Sequence, residues 1–155
     1  MTDLDSRWRP VRLLLEAVDQ QIASIYADAG VDGMRTRFVG PLIQLGRRGA
    51  MTVRELADSV EVTHSAMSQT VAAMRSAGFV ADAANSDGRT RRVQLSERGR
   101  AAIPLLEAEW RATEDSLAEL EAEVPYPLTQ VVADLAAALA KRSFRERLDA
   151  HLNAR

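Results

Sequence analysis

Downstream of Thr63, the residues His64, Ser65, Ser68 and Gln69 are spaced so that one helix would gather them on one side, with Arg75 further along. On that helix Ala66 or Met67, Val71 and Met74 take the inward positions. The outward groups are short and polar. Gln can pair with adenine N6 and N7, Ser can meet several bases or a phosphate, and the amino end of the helix adds free amides. A second set, Arg89-Thr90-Arg91-Arg92, follows the tight-turn pair Asp87-Gly88. Three arginines within four residues on a hairpin repel one another unless something balances them. Asp87 is spaced to orient Arg89, and phosphates or a narrow minor groove would take the others. Taken alone, the first set is an ordinary polar helix face; the second shifts the balance toward nucleic acid.

Catalytic chemistry finds little support. The two histidines, His64 and His151, have no Asp, Glu or Cys at metal-ligand spacing, and the chain has no Cys at all. This leaves no thiol nucleophile, disulfide or thiol redox sensor, and permits a reducing compartment. Neither a Gly-rich phosphate loop nor a nucleophile elbow is present. The acidic run from Glu114 to Glu123 reads as a solvated helix face. No catalytic residue, metal site or cofactor is expected.

The elements that must carry the polar groups are helices. Thr52-Val53-Arg54-Glu55 is a capping box that starts one at 52–60, with Val53, Leu56 and Ala57 inward. After a short turn at Glu61-Val62, Thr63 caps a second at 63–77, closed by Gly78. Two short strands flank the arginine-rich turn, at Phe79-Val80-Ala81 and Val93-Gln94-Leu95, and Ser96 caps the next helix. Paired helices followed by a hairpin are the layout of a winged helix-turn-helix. Upstream, Trp8, Val11, Leu15, Val18, Ile22 and Ile25 form an apolar seam. Residues 34–45 form a helix with Phe38, Leu42 and Leu45 on one face, which Pro41 should kink or break near Gly40.

Charge is distributed unevenly. The chain of 155 residues carries a net −2, yet residues 47–100 hold nine arginines against six carboxylates, +3, which leaves −5 for the remainder. A basic middle between acidic flanks suits a segment that faces phosphates. The length allows one body with a sizeable core. No apolar run approaches the ~20 residues of a membrane span, and the start lacks a signal core. A cytoplasmic protein without a membrane association is expected.

Asp87-Gly88-Arg89 followed by Leu95-Ser96-Glu97-Arg98-Gly99 resembles the wing signature of the MarR (multiple antibiotic resistance regulator) family, usually Asp-x-Arg and then Leu-Thr-x-x-Gly. Glu55-Leu56-Ala57 and the run from Met67-Ser68-Gln69 to Gly78-Phe79-Val80 are similar to that family's paired helices. The resemblance spans nearly the whole chain. Ser96 for Thr keeps a capping hydroxyl, whereas Pro104 departs from the pattern and should kink the helix after the wing. The resemblance implies a homodimeric transcription factor, a repressor, with recognition helices in successive major grooves of pseudo-palindromic double-stranded DNA and half-sites roughly 34 to 36 Å apart. It carries Arg89 over as the wing residue held by Asp87, with Thr90 and Arg91 beside it. Thr63, His64, Ser65, Ser68, Gln69 and Arg75 carry over by position on the recognition helix. It also implies a small aromatic or amphipathic effector between the DNA module and the dimer region. Trp8, Phe38 and Trp110 are apolar enough to line such a cavity, although core packing is the first expectation for each.

The expected fold is therefore mostly α with a small β-hairpin wing: amino-terminal helices (1–46), a winged helix-turn-helix (47–100) and carboxy-terminal dimerisation helices (101–155). Ile103, Leu106, Trp110, Thr113, Leu117, Leu120 and Val124 repeat at three and four residues as a coiled-coil-like seam, stopped by Pro125-Tyr126-Pro127. Leu128, Val131, Leu135 and Leu139 continue it, then Phe144, Leu148 and Leu152. These seams must bury against each other or against a second subunit. The rival function is a winged-helix interaction or antiactivator module that meets an acidic protein without sequence-specific DNA binding.

Overall fold

Hydroxyl caps decide where the central helices begin. Thr52 Oγ1 accepts from the Glu55 amide at 3.1 Å while the Glu55 carboxylate accepts from the Thr52 amide at 2.7 Å, and Thr63 Oγ1 accepts from the Ala66 amide at 3.2 Å. In the computed structural model, which describes residues 6–84 and 91–154, the order is α1 (Arg9–Asp28), α2 (Thr36–Arg48), β1 (Met51–Thr52), α3 (Val53–Ser59), α4 (His64–Ser76), β2 (Val80–Asp82), β3 (Arg92–Leu95), α5 (Glu97–Ala122), α6 (Leu128–Lys141) and α7 (Phe144–Leu152). The strands form an antiparallel sheet in the order β1-β3-β2, with Met51 opposite Val93 and Val80 opposite Leu95. The fold is mostly helical with a small wing sheet, as expected. The turn at Asp87-Gly88 lies outside the described residues.

Two compact units divide the chain, residues 1–111 and 112–155. The first has one core. Phe38, Leu42 and Leu45 of α2, Leu56 of α3, Met67, Val71 and Met74 of α4, Phe79, Val93 of β3 and Leu106 of α5 are all buried in it. Tyr26 joins them from α1, and Phe38 meets Phe79 edge to face at 6.4 Å between ring centroids. Close approach at the start of α5 needs a glycine: a Cβ at Gly99 would stand 2.1 Å from the Phe79 carbonyl oxygen. Gly78 ends α4 with φ +79°, where the absent Cβ removes the clash.

Of the two outcomes expected at Pro41, a break does not occur, since α2 runs through it; α5 likewise continues through Pro104. In α2, Val39, Leu42, Ile43 and Pro41 itself are buried, and at about 1.5–3 kcal/mol for each large aliphatic side chain their burial offsets the roughly 3 kcal/mol a mid-helix proline costs. One expectation, on the aromatic residues, is corrected: of the three expected in the core, only Phe38 is there; Trp8 is 62% exposed and Trp110 48%. Neither indole has enough of its own chain above it to exclude water.

The second unit holds the end of α5 together with α6 and α7. Glu121 accepts from the amide and the hydroxyl of Thr129, each at 2.7 Å, to fix the turn into α6. Ser143 and Glu146 form a capping box at the start of α7. No described residue of 112–154 is buried.

Candidate nucleic-acid interface

α4 is the element to which the polar side chains belong. Its buried residues are Met67, Thr70, Val71 and Met74, while His64, Ser65, Ser68, Gln69, Ala72 and Arg75 are exposed. His64, Ser65, Ser68 and Gln69 form no side-chain hydrogen bond or ion pair with any described residue, so their full bonding capacity faces outward. Ala72 leaves the middle of that face low enough for close approach. Thr63 differs from its neighbours, because its hydroxyl oxygen is engaged by the Ala66 amide.

Arg75 donates to Asp82 Oδ1 at 2.6 Å and ties the end of α4 to β2. Arg92 donates to both carboxylate oxygens of Glu55 at 3.0 Å and ties β3 to the start of α3. The Glu55 carboxylate is thus held by the Thr52 amide and by Arg92, which together keep it below the usual carboxylate range. The capping box was legible from spacing; its second task, anchoring a wing strand, was not. Arg91 is exposed and forms no ion pair with a described residue. Asp87, Arg89 and Thr90, with the Asp87–Arg89 contact, lie outside the described residues.

A weld joins the end of α4 to the start of α5. Ser96 Oγ donates to the Gly78 carbonyl at 2.6 Å and accepts from the Gly99 amide at 3.0 Å, and the Ser96 amide donates to the Phe79 carbonyl at 3.0 Å. Arg98 lies over the Phe79 ring at 4.6 Å and donates to the carbonyls of Ala77 and Asp32. The Leu95–Gly99 part of the wing signature therefore fixes the start of α5 against the end of α4. Elsewhere in the first unit the Tyr26 hydroxyl donates to the buried Glu109, and burial pushes that phenol well above its ordinary pKa. Nothing in local spacing signals this pair.

A cleft of about 790 Å³ opens between α2, α3 and Trp110 of α5. Gly40, Ile43 and Val60 give it an apolar wall, and Gln44 and Asp58 line it with polar groups. This volume lies within the range of small-molecule sites. No helix among the described residues is long and apolar enough to cross a membrane.

No family model matches the sequence, and no curated protein matches it. Solved structures do. A MarR family transcriptional regulator from Silicibacter pomeroyi is 28% identical, covering 83% of this chain and 93% of that one at a TM-score of 0.51. The Mycobacterium tuberculosis transcriptional regulator MOSR, solved in complex with DNA, is 26% identical over 89% of this chain and 99% of its own, TM-score 0.58. NadR in complex with 4-hydroxyphenylacetate shares the fold at 18% identity, covering 92% of this chain and 97% of that one, TM-score 0.50. The order of elements, the wing sheet and these likenesses agree. The fold is that of winged helix-turn-helix transcriptional regulators, and the chain is similar in sequence and structure to a MarR family member.

Proposed function

We propose that the protein is a homodimeric repressor that binds pseudo-palindromic duplex DNA through α4 and the wing. The observation that carries this is the α4 face itself, on which Ser65, Ser68 and Gln69 are exposed and without side-chain partners while the opposite side is core. Ser65, Ser68, Gln69 and His64 are the base-edge groups, Thr63 holds the helix start near the backbone, and Asp87, Arg89, Thr90 and Arg91 form the wing contact. Arg75 acts with Asp82, fixing the reading helix as much as meeting phosphate. The likeness to MOSR, which is solved on DNA, supports the same assignment.

A second copy is the partner that suits the second unit. Leu117, Leu120, Val131, Leu135, Leu139 and Leu148 are all 38% or more exposed. Each returns about 1.5–3 kcal/mol on full burial, and helices that bury none of them alone have no reason to hold together. Trp110 and the cleft beside it are the place for a small aromatic or amphipathic effector that shifts the population of DNA-competent dimers.

The test is binding of the purified protein to duplex fragments against scrambled sequence at two salt concentrations, with mass measured in parallel. One dimer per site and a preferred sequence are expected. Binding that is weak and blind to sequence would give the lead to a winged-helix interaction module that meets an acidic protein.

A further inference from the structure

The arginines of the first unit sort into two groups by what already holds them. Arg47 pairs with Glu107, Arg75 with Asp82 and Arg92 with Glu55, while Arg98 and Arg100 are spent on backbone carbonyls. Arg35 and Arg37, like Arg48, Arg54 and Arg91, are not held in this way, and they alone of these share one aromatic support. Both are exposed, neither side chain forms an ion pair or hydrogen bond with a described residue, and their guanidinium carbons stand 5.9 and 5.7 Å from the centroid of the same ring, Phe38. Phe38 is fixed in the core against Phe79, so this pair of cations rests on a rigid support.

That support adjoins the far end of α4. A Cβ at Gly33 would stand 3.8 Å from the Ala77 side chain, and Arg98 bridges the carbonyls of Ala77 and Asp32. α4 has 13 residues, about 20 Å of helix, whereas the major groove is about 12 Å wide. A helix of that length lying in the groove has its ends near the phosphate walls. Charges tethered beside its carboxy-terminal end then face the sugar-phosphate strand at that end of the helix.

We infer that Arg35 and Arg37 form a further phosphate-binding surface of this protein, a two-guanidinium clamp on the DNA strand that flanks the carboxy-terminal end of the recognition helix. The inference rests on the DNA-binding reading above. The supporting geometry also separates Arg75 and Arg92, which are engaged in holding the module together, from Arg35 and Arg37, whose side chains are available to a ligand.

The full-length protein carrying Arg35→Ala and Arg37→Ala together is titrated with its preferred duplex across a fourfold range of salt. Two lost phosphate contacts lower the salt slope by about 1.8, so the rise in salt costs the wild type about tenfold more affinity than the double variant. The Arg35→Lys, Arg37→Lys protein keeps the charge and is expected to keep the slope. Duplexes with single neutral methylphosphonates locate the contact: one or two flanking positions should weaken the wild type and leave the alanine variant unchanged. Thermal unfolding and dimer mass, measured alongside, should match the wild type. If the wild type prefers a sequence and the alanine variant keeps the full slope, this inference falls alone. If the lysine variant loses slope as the alanine variant does, charge is not what matters and the inference also falls. If the wild type selects no duplex, the DNA-binding reading falls and takes this one with it.

Discussion

Replacing Gly99 by Ala should destabilise the first unit although the residue sits in the first turn of a helix. Helix propensity alone favours Ala over Gly by about 1 kcal/mol. The local geometry opposes this: the added Cβ would meet the Phe79 carbonyl oxygen at 2.1 Å and Leu95 at 3.2 Å. Restoring an ordinary contact requires a shift of about 1 Å, and backbone cannot yield as a flexible side chain can. Phe79 is fully buried and packed edge to face on Phe38, so α5 must move, which strains the 3.0 Å bond from the Ser96 amide to the same carbonyl. Overpacking costs about 1–3 kcal/mol and a lost hydrogen bond about 1 kcal/mol. After the helical gain is subtracted, a net loss of about 1–3 kcal/mol remains. For a chain of this size that lowers the Tm by roughly 2–12 °C. Urea and thermal unfolding at one fixed protein concentration give the value, since self-association would otherwise shift both midpoints. A Gly99→Ala protein as stable as the wild type, or more stable, would refute the close approach of α5 to the Phe79 turn.

Three further outcomes are expected. Glu61, at φ 55°, adopts the left-handed region in the turn between α3 and α4; relief of about 1–2 kcal/mol of strain, less the entropy glycine adds to the unfolded chain, should make Glu61→Gly about 0.5–1 kcal/mol more stable in urea, with Glu61→Ala showing no gain. Because the Thr52 amide and Arg92 lower the Glu55 pKa, the stability this carboxylate contributes is complete above its unfolded value of 4.5 and is lost as pH falls through the lower folded value; Glu55→Gln should flatten that acid limb in a pH series of unfolding curves. The Tyr26 phenol is shifted upward, so its contribution is complete below about pH 10 and declines above it, where the unfolded chain ionises first; Tyr26→Phe should cost about 1–3 kcal/mol near neutrality and remove that alkaline decline, with exposed Tyr126→Phe as the control.

What could be read in the sequence was what depends on near neighbours. The Thr52–Glu55 box spans three residues, the α4 core positions follow the helical period, and Gly78 stops the helix where its type allows. β1 has only two residues, Met51 and Thr52, and exists because β3 lies beside it, which no local pattern encodes. The partners of the arginines were hidden for the same reason: Asp82 is seven residues from Arg75, Glu55 is 37 from Arg92, and Glu109 is 83 from Tyr26. Counting charges along 47–100 therefore treated Arg75 and Arg92 as available to DNA when the fold employs both. The apolar seams were equally plain as periodicity, but periodicity does not say what covers them. Tyr26, one position beyond the seam read on α1, is the α1 side chain buried in the core, while of the seam itself Ile22 packs half-buried against that core and Ile25 stays 46% exposed. Pro41 left a kink and a break both open in the sequence, and α2 continues because a helix with enough buried side chain tolerates one missing donor.

The most direct test is an equilibrium titration of the intact protein with genomic duplex from upstream regions, against scrambled competitor, at two salt concentrations and with Gln69→Ala in parallel. A preferred sequence bound by one dimer, a steep loss with salt, and a Gln69→Ala protein whose sequence preference changes while its salt slope does not would uphold recognition by α4. Equal affinity for all duplexes, unaltered by Gln69→Ala, would contradict it.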